Sequence, residues 1–230
     1  MEYLKMNIEK ARFNMIEQQI RPWNVLDASV LELLSIVKRE DFVPQAHKGL
    51  AFADLEIPLM GSGEEALANG QCMLAPRLEA RLLQDLAVQP TDEVLEIGSG
   101  SGYMAALLGK KAQRVVTLEI VQELAAMARE NLRNAGVQNV EVRQADGAKT
   151  TAADGSFDVI VLSGSVTEVP HSLLSLLKVG GRLGAIVGDE PVMRATIVTR
   201  NSATDFRTVQ SWDTAAPRLR NFPEPSRFKF

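Results

Sequence analysis

Apolar residues recur at helical spacing over residues 8–20 and again over 27–38, where Val30, Leu33, Leu34 and Val37 share one face. Asp27 is placed to cap the second helix, and Arg21-Pro22 parts the two because proline restricts the residue before it. From Pro44 to about Gly70 the helical repeat fades into a stretch rich in Gly, Ala and Pro that contains Leu55-Glu56-Ile57-Pro58-Leu59. A third helix is predicted over residues 76–87. From Glu93 the period changes. VLEI, RVVTLE, VEVRQA, FDVIVL and GRLGAIV are short apolar runs rich in β-branched residues, with helical stretches such as 121–134 and 172–177 between most of them. That alternation implies a parallel sheet with helices on both faces, joined by right-handed crossovers. Beyond residue 192 it stops: ATIVTR and FRTVQSWDT, separated by a polar segment with Asn201 and Asp205, predict an antiparallel hairpin. The expected architecture is α/β and Rossmann-like, mostly parallel, with a hairpin at one edge and an N-terminal helical extension. Residues 1–75 would form a helical and loop region covering the active site, and residues 76–230 the sheet domain. There is no internal repeat and no low-complexity tract.

Composition narrows the partners rather than the fold. The apolar fraction of 46% and charged fraction of 23% are ordinary for a globular chain. A net charge of −4 offers no general attraction to phosphate backbones, so nucleic acid is not expected as a partner. Arg218, Arg220, Arg227 and Lys229 make the C-terminus locally basic, but acidic residues lie near them and the stretch reads as a solvated tail. No run of about 18 apolar residues is present, so no membrane span is expected, and the N-terminus is too charged for a signal peptide. The lone Cys72 gives neither a disulfide nor metal-site spacing, which fits a reducing compartment, the cytoplasm.

The chemistry concentrates after the first strand. Glu96-Ile97-Gly98-Ser99-Gly100-Ser101-Gly102-Tyr103 runs into a helix, and glycines there let the backbone turn tightly beside free helix N–H groups. A dinucleotide fingerprint would be G-x-G-x-x-G. Here the spacing is G-x-G-x-G, and Tyr103 stands in the place of the third fingerprint glycine. Glu96 precedes the loop, where a pyrophosphate would be repelled but the ammonium and sulfonium of S-adenosylmethionine would be attracted. Glu119, with Ile120 after it, ends the second strand, where a carboxylate can accept from ribose hydroxyls. Asp146-Gly147 ends the third, placed for the adenine end. Any one acid alone could be a helix cap or loop residue; three in register with the glycines imply an S-adenosylmethionine site.

Residues 94–103, VLEIGSGSGY, resemble the glycine motif of the protein-L-isoaspartate O-methyltransferase family. Further resemblances follow in order: Met15-Ile16 with Gln19 and Arg21, Asp27 with Val30-Leu31, Arg39-Glu40-Asp41-Phe42-Val43-Pro44, Ala51-Phe52-Ala53-Asp54, Asp146-Gly147, Phe157-Asp158-Val159-Ile160 and Val169-Pro170. They extend over roughly residues 8–190. The resemblance implies the methyltransferase form of the doubly wound sheet, S-adenosyl-L-methionine as cofactor, and methyl transfer to the carboxylate of an isoaspartyl residue during protein repair. Where the family has a serine that helps to hold this carboxylate, within G-Q-T-I-S-x-P, the chain reads Gly70-Gln71-Cys72-Met73-Leu74-Ala75-Pro76, so Leu74 replaces it and Asp54, Gln71 and Cys72 line the corresponding segment. The family's C-terminal R-F-V-P-L is replaced by Thr214-Ala215-Ala216-Pro217-Arg218-Leu219.

These departures leave the acceptor open between an isoaspartyl protein or peptide, a less polar small molecule, and none at all in a non-catalytic S-adenosylmethionine-binding protein. NAD-dependent oxidoreduction ranks behind them on glycine spacing and charge. Ser62, in Gly61-Ser62-Gly63, could substitute for the missing hydroxyl, though a loop serine is the plainer reading. Cys72 could be a nucleophile, yet a single cysteine is usually a small buried residue. His47 and His171 are the only histidines, His171 reads as a helix-start or surface residue, and with no His/Asp/Glu cluster no metal site is expected; Trp23 and Trp212 read as packing. Whether the N-terminal region lids the site or makes a homodimer contact is left open.

Overall fold

The structure, a computed structural model, describes residues 2–224. Arg227 and Lys229 lie outside the described residues. The chain opens with α1 (Glu2–Met15), a π-helical turn (Ile16–Ile20) and α2 (Ala28–Ile36). Asp27 caps α2, its carboxylate accepting from the Ser29 N–H at 2.8 Å. The segment expected to be irregular holds two elements of a small antiparallel ribbon, β1 (Ile57–Pro58) and β2 (Cys72–Met73), and between them α3 (Gly63–Ala68). This short helix has too few residues to display an apolar repeat, which is why the pattern missed it.

The rest is a helix–strand alternation: α4 (Pro76–Leu86), β3 (Glu93–Ile97), α5 (Tyr103–Lys111), β4 (Arg114–Glu119), α6 (Gln122–Asn134) and β5 (Val140–Gln144). It continues with β6 (Phe157–Val166), α7 (His171–Leu174), β7 (Leu177–Asp189), β8 (Val192–Arg200) and β9 (Phe206–Thr214). The seven strands lie in the order β5-β4-β3-β6-β7-β8-β9, parallel from β5 to β7 and antiparallel from β7 to β9. The expected helix over 172–177 is a correction: it stops at Leu174, and Leu177 already pairs with Phe157 as the first residue of β7.

The central strands read as continuous apolar runs because both faces are covered. Val94, Val115, Val159 and Val161 point to one side, where they share a core with Val30 and Leu34 of α2 and Leu107 of α5. Leu95, Ile97, Val116, Leu118, Ile160 and Leu162 point to the other, against Leu173 and Leu177. The N-terminal helices therefore bury their apolar stripe in the same core as the sheet.

One buried and one half-buried side chain fix the segment between α2 and α4. The Arg39 guanidinium, wholly buried, donates to the carbonyls of Ala51 (2.9 Å), Leu55 (3.3 Å) and Leu74 (3.0 Å). Gln19 donates to the Phe52 carbonyl at 3.1 Å and accepts from the Asp54 N–H at 2.8 Å.

As far as Glu224, the C-terminal stretch is not the solvated tail that its charge pattern suggested. β3 ends opposite Leu162, so β6 runs on with that edge unpaired. Residues 217–219 take the edge: Ser165 N–H donates to Pro217 O at 2.7 Å and Leu219 N–H to Ser165 O at 2.9 Å. Unpaired main-chain groups of a buried strand need partners, and this strap supplies them.

Candidate active site

The glycine turn leaves β3 with Gly98 N–H on the Leu118 carbonyl at 2.8 Å. Gly98 (φ +96°) and Gly100 (φ +49°) occupy backbone conformations that side chains disfavour; a Cβ at Gly98 would lie 3.1 Å from Ser163 O. Glu119, at the tip of β4, ties the turn down. One carboxylate oxygen accepts from Gly100 N–H at 2.9 Å and the other from Val121 N–H at 3.0 Å. Each oxygen keeps a second acceptor site.

A cleft of about 630 Å³, its open mouth included, lies at the C-terminal ends of β3, β4 and β5. Parallel sheets bind ligands there, because strand ends and helix starts leave polar main chain free. Of the residues predicted for the cofactor, Ile97, Gly98, Gly100, Glu119, Ile120, Asp146 and Gly147 line it. Asp146 accepts from Ala148 N–H at 3.1 Å and from the Asn221 side-chain amide at 3.0 Å. Gly147 keeps the floor flat, since a Cβ there would fall 2.3 Å from Ile97 Cγ2. This donor set, two carboxylates with an apolar slot of Ile97, Leu118, Val121 and Leu124 between them, fits an adenosine.

Four predicted residues stand behind the wall instead. Glu96 is fully buried and accepts from the hydroxyls of Thr117 (2.6 Å) and Ser163 (2.7 Å). Burial pushes its pKa up to about 7 against those two hydrogen bonds, which pull it down. Ser99 bonds Thr117 at 2.7 Å. Gly102 starts α5 at φ +85°, where a Cβ would press on the Ala128 backbone at 3.3 Å, so it serves helix packing. Tyr103 is buried against Phe42, ring centroids 5.5 Å apart and edge-on.

On the acceptor side, Gln71 and Cys72 line the cleft. Asp54 does not; it pairs with Arg77 at 2.6 Å. The Leu74 side chain lies in an apolar cluster with Leu78, Ile186, Met193, Ala195 and Ala216, away from the cleft. Ser62 is the cap of α3, accepting from Glu65 N–H at 3.4 Å. Burial, with Glu56 beside it, pushes the Cys72 thiol up to about 12, so it is no thiolate at neutral pH. His171 is exposed at the first position of α7. Trp23 and Trp212 carry the guanidinium groups of Arg77 (4.2 Å) and Arg81 (4.6 Å) on their rings. Among the described residues no three His, Cys, Asp or Glu side chains gather as a metal site, and no helix is long and apolar enough to cross a membrane.

Sequence reasoning missed Ser163, Asn69, Arg218, Leu219, Arg220 and Phe222, all of which line the cleft. Ser163 follows a recognised strand and could have been placed by register opposite Gly98. Arg218 and Leu219 lie in the segment that replaces the family's R-F-V-P-L; Asn69, Arg220 and Phe222 carried no local signal, because they reach the cleft only by long-range folding.

Five parallel strands with an antiparallel pair at one edge, and an acid-tipped cleft beside a glycine turn, define an S-adenosylmethionine-dependent methyltransferase with a Rossmann-like sheet. The profile of the family described as Protein-L-isoaspartate(D-aspartate) O-methyltransferase (PCMT) matches residues 10–212. The chain belongs to this family. It is 38% identical over 192 residues to the protein-L-isoaspartate O-methyltransferase of Koribacter versatilis (strain Ellin345), covering 84% of this chain and 82% of that protein. With the enzyme of the same name from Rhodopseudomonas palustris (strain ATCC BAA-98 / CGA009) it is 37% identical over 194 residues, covering 84% and 85%. In fold it is similar to a Plasmodium falciparum protein-L-isoaspartate O-methyltransferase solved with S-adenosyl-L-homocysteine, with a TM-score of 0.75, 19% identity and coverage of 92% of this chain and 99% of that one.

Proposed function

We propose that this enzyme methylates the carboxylate of an isoaspartyl residue in a protein or peptide, in the cytoplasm. The observation that carries the reading is the Glu119 carboxylate, anchored by Gly100 and Val121 N–H groups at the floor of a cleft whose open side meets Gln71 and the C-terminal strap. In this reading Glu119 accepts from the ribose hydroxyls, Asp146 and Gly147 meet the adenine end, and Gly98 with Gly100 give the methionine end its close approach. Glu96 contributes from behind the wall by fixing Thr117 and Ser163. Residues 1–75 cover the site through the Asn69–Cys72 wall.

The cofactor supplies a methyl carbon on a sulfonium; an acceptor oxygen forms the new C–O bond as the C–S bond breaks, its electron pair staying on sulfur. No proton moves, because a carboxylate of pKa about 4 is already ionised. The chain therefore needs no general base. Its work is to hold the oxygen in line with the methyl carbon and to keep water out.

The test is transfer of labelled methyl to a short isoaspartyl peptide, counted as methanol released by mild alkali. Wild type is expected to give base-labile counts and Glu119→Ala to lose most of them, with S-adenosylhomocysteine affinity falling about tenfold or more as charge-assisted hydrogen bonds are removed. Wild type without counts on the isoaspartyl peptide would overturn the reading.

A further inference from the structure

We infer that Arg218 is the group that holds the acceptor's carboxylate in this enzyme, in place of the hydroxyl missing at Leu74. The inference rests on the carboxylate-acceptor reading and names the residue that recognises it.

The cofactor cleft opens into a second, broader groove, and the two share Asn69, Gly70, Arg218, Leu219, Arg220 and Phe222. An acceptor that meets the cofactor's methyl group must pass this junction. Two cationic side chains stand there. Arg220 is exposed and donates to the Asn69 carbonyl at 3.2 Å. Arg218 is more deeply set and half engaged. Its Nη2 donates to Gly188 O at 2.9 Å and Asp189 Oδ1 at 2.7 Å, while its Nη1 is buried with no acceptor among the described residues. About a quarter of the Arg218 side chain is open, at the junction of the two cavities, and a buried N–H without an acceptor is costly, so a small turn of the guanidinium toward an entering carboxylate would satisfy Nη1. Asp189 is thus a positioning residue: it holds the guanidinium through Nη2.

Four acids line the same groove: Asp189 is engaged by Arg218 itself, burial raises the pKa of Glu56, and Glu190 and Glu224 are exposed, where solvent screens them. No thiolate competes, since burial holds Cys72 protonated. The departures from the family pattern also meet in space. Leu74 packs in one cluster with Ala216, the residue that begins the strap, and Arg218 follows two positions later. With the proline of R-F-V-P-L set on Pro217, Arg218 takes the place of the leucine after it. The apolar side chain that displaced a hydroxyl roots the strap, and the strap delivers a cation to the cleft.

The test uses the full chain with Arg218→Met, Arg218→Lys and Arg218→Gln. Methyl transfer to the isoaspartyl peptide is measured beside calorimetric binding of S-adenosylhomocysteine. Arg218→Met is expected to raise the peptide KM by about ten- to a hundredfold, the loss of a hydrogen bond to a charged group. S-adenosylhomocysteine should still bind, which reports that the variant is folded, with an affinity that falls much less than the peptide KM rises, and kcat should change less than KM. Arg218→Lys should recover part of the KM where Arg218→Gln does not, because it restores the charge; loss of packing alone would not follow that order. A peptide KM unchanged in Arg218→Met, with wild type active, overturns this inference and leaves the proposed function standing. Wild type inactive on the peptide overturns both. A cofactor affinity that falls in step with peptide affinity overturns it too, since Arg218 would then serve the strap as a whole.

Discussion

Glu79 and Glu96 are fully buried, and burial pushes their pKa values up to about 8 and about 7. Arg39 opposes the shift at Glu79, and the Thr117 and Ser163 hydroxyls oppose it at Glu96. A carboxyl whose pKa rises on folding binds protons in the native state that the unfolded chain has already released. Stability therefore falls as pH climbs from about 4.5 to about 8, and nothing is lost below that window. Glu79→Gln removes one of these ionisations without changing shape. In thermal melts the variant is expected to match wild type near pH 5 and to melt higher than wild type at pH 9. Melting below wild type at pH 9 would show that the ionised form is favoured by Arg39 more than burial opposes it. The same scale holds the plainest lesson about reading chemistry from residue type. Glu96 and Ser99 belong to the glycine motif, yet both face inward to Thr117: alternation along β3 and β4 turns Glu96 and Thr117 to one side, and the turn after β3 brings Ser99 back to them.

At the scale of elements, caps and periods were legible where they are local. Asp27 is the cap that its position before Val30 and Leu31 implied, and Asp27→Ala is expected to lower unfolding free energy by about 1 kcal/mol in urea titrations. S-adenosylhomocysteine affinity should not change, since α2 stands away from the cleft. The strands β3, β4, β6 and β7 were legible too, since a strand buried on both faces must be apolar in its buried run, whereas the edge strand β5 showed only the alternation of Val140 and Val142 with Glu141 and Arg143. α3 and the shortened α7 were not. Six residues and four residues show less than two helical turns, and no periodicity can emerge from so little. β7 outran its apolar run for a related reason: hydrogen bonds to β6 and β8 extend it over Leu177–Asp189, including polar and glycine positions.

The molecule as a whole turns on the strap. Residues 215–224 cross the strand tips from the hairpin edge to Asp146, placing Leu219 over Gly98 and Phe222 in the cleft wall. A chain ending at Thr214 keeps every strand of the sheet and loses that wall. It is expected to retain its far-ultraviolet dichroism while S-adenosylhomocysteine binds about tenfold or more weakly, as befits losing contact with two large apolar side chains. Equal affinity in the shortened chain would remove the strap from the binding site.

The amino-acid pattern alone determined the doubly wound sheet, the edge hairpin, the glycine turn and the acids at the strand tips. Each of these is written in a repeat of two or 3.6 residues, or in a motif that one short segment completes. Tertiary structure alone decided which motif residues face the ligand, that Leu74 is packed away from the cleft, and that Arg218 comes to it. Those outcomes depend on contacts between residues far apart in sequence, such as Leu74 with Ala216 and Ser165 with Leu219, whose pairing no local period encodes.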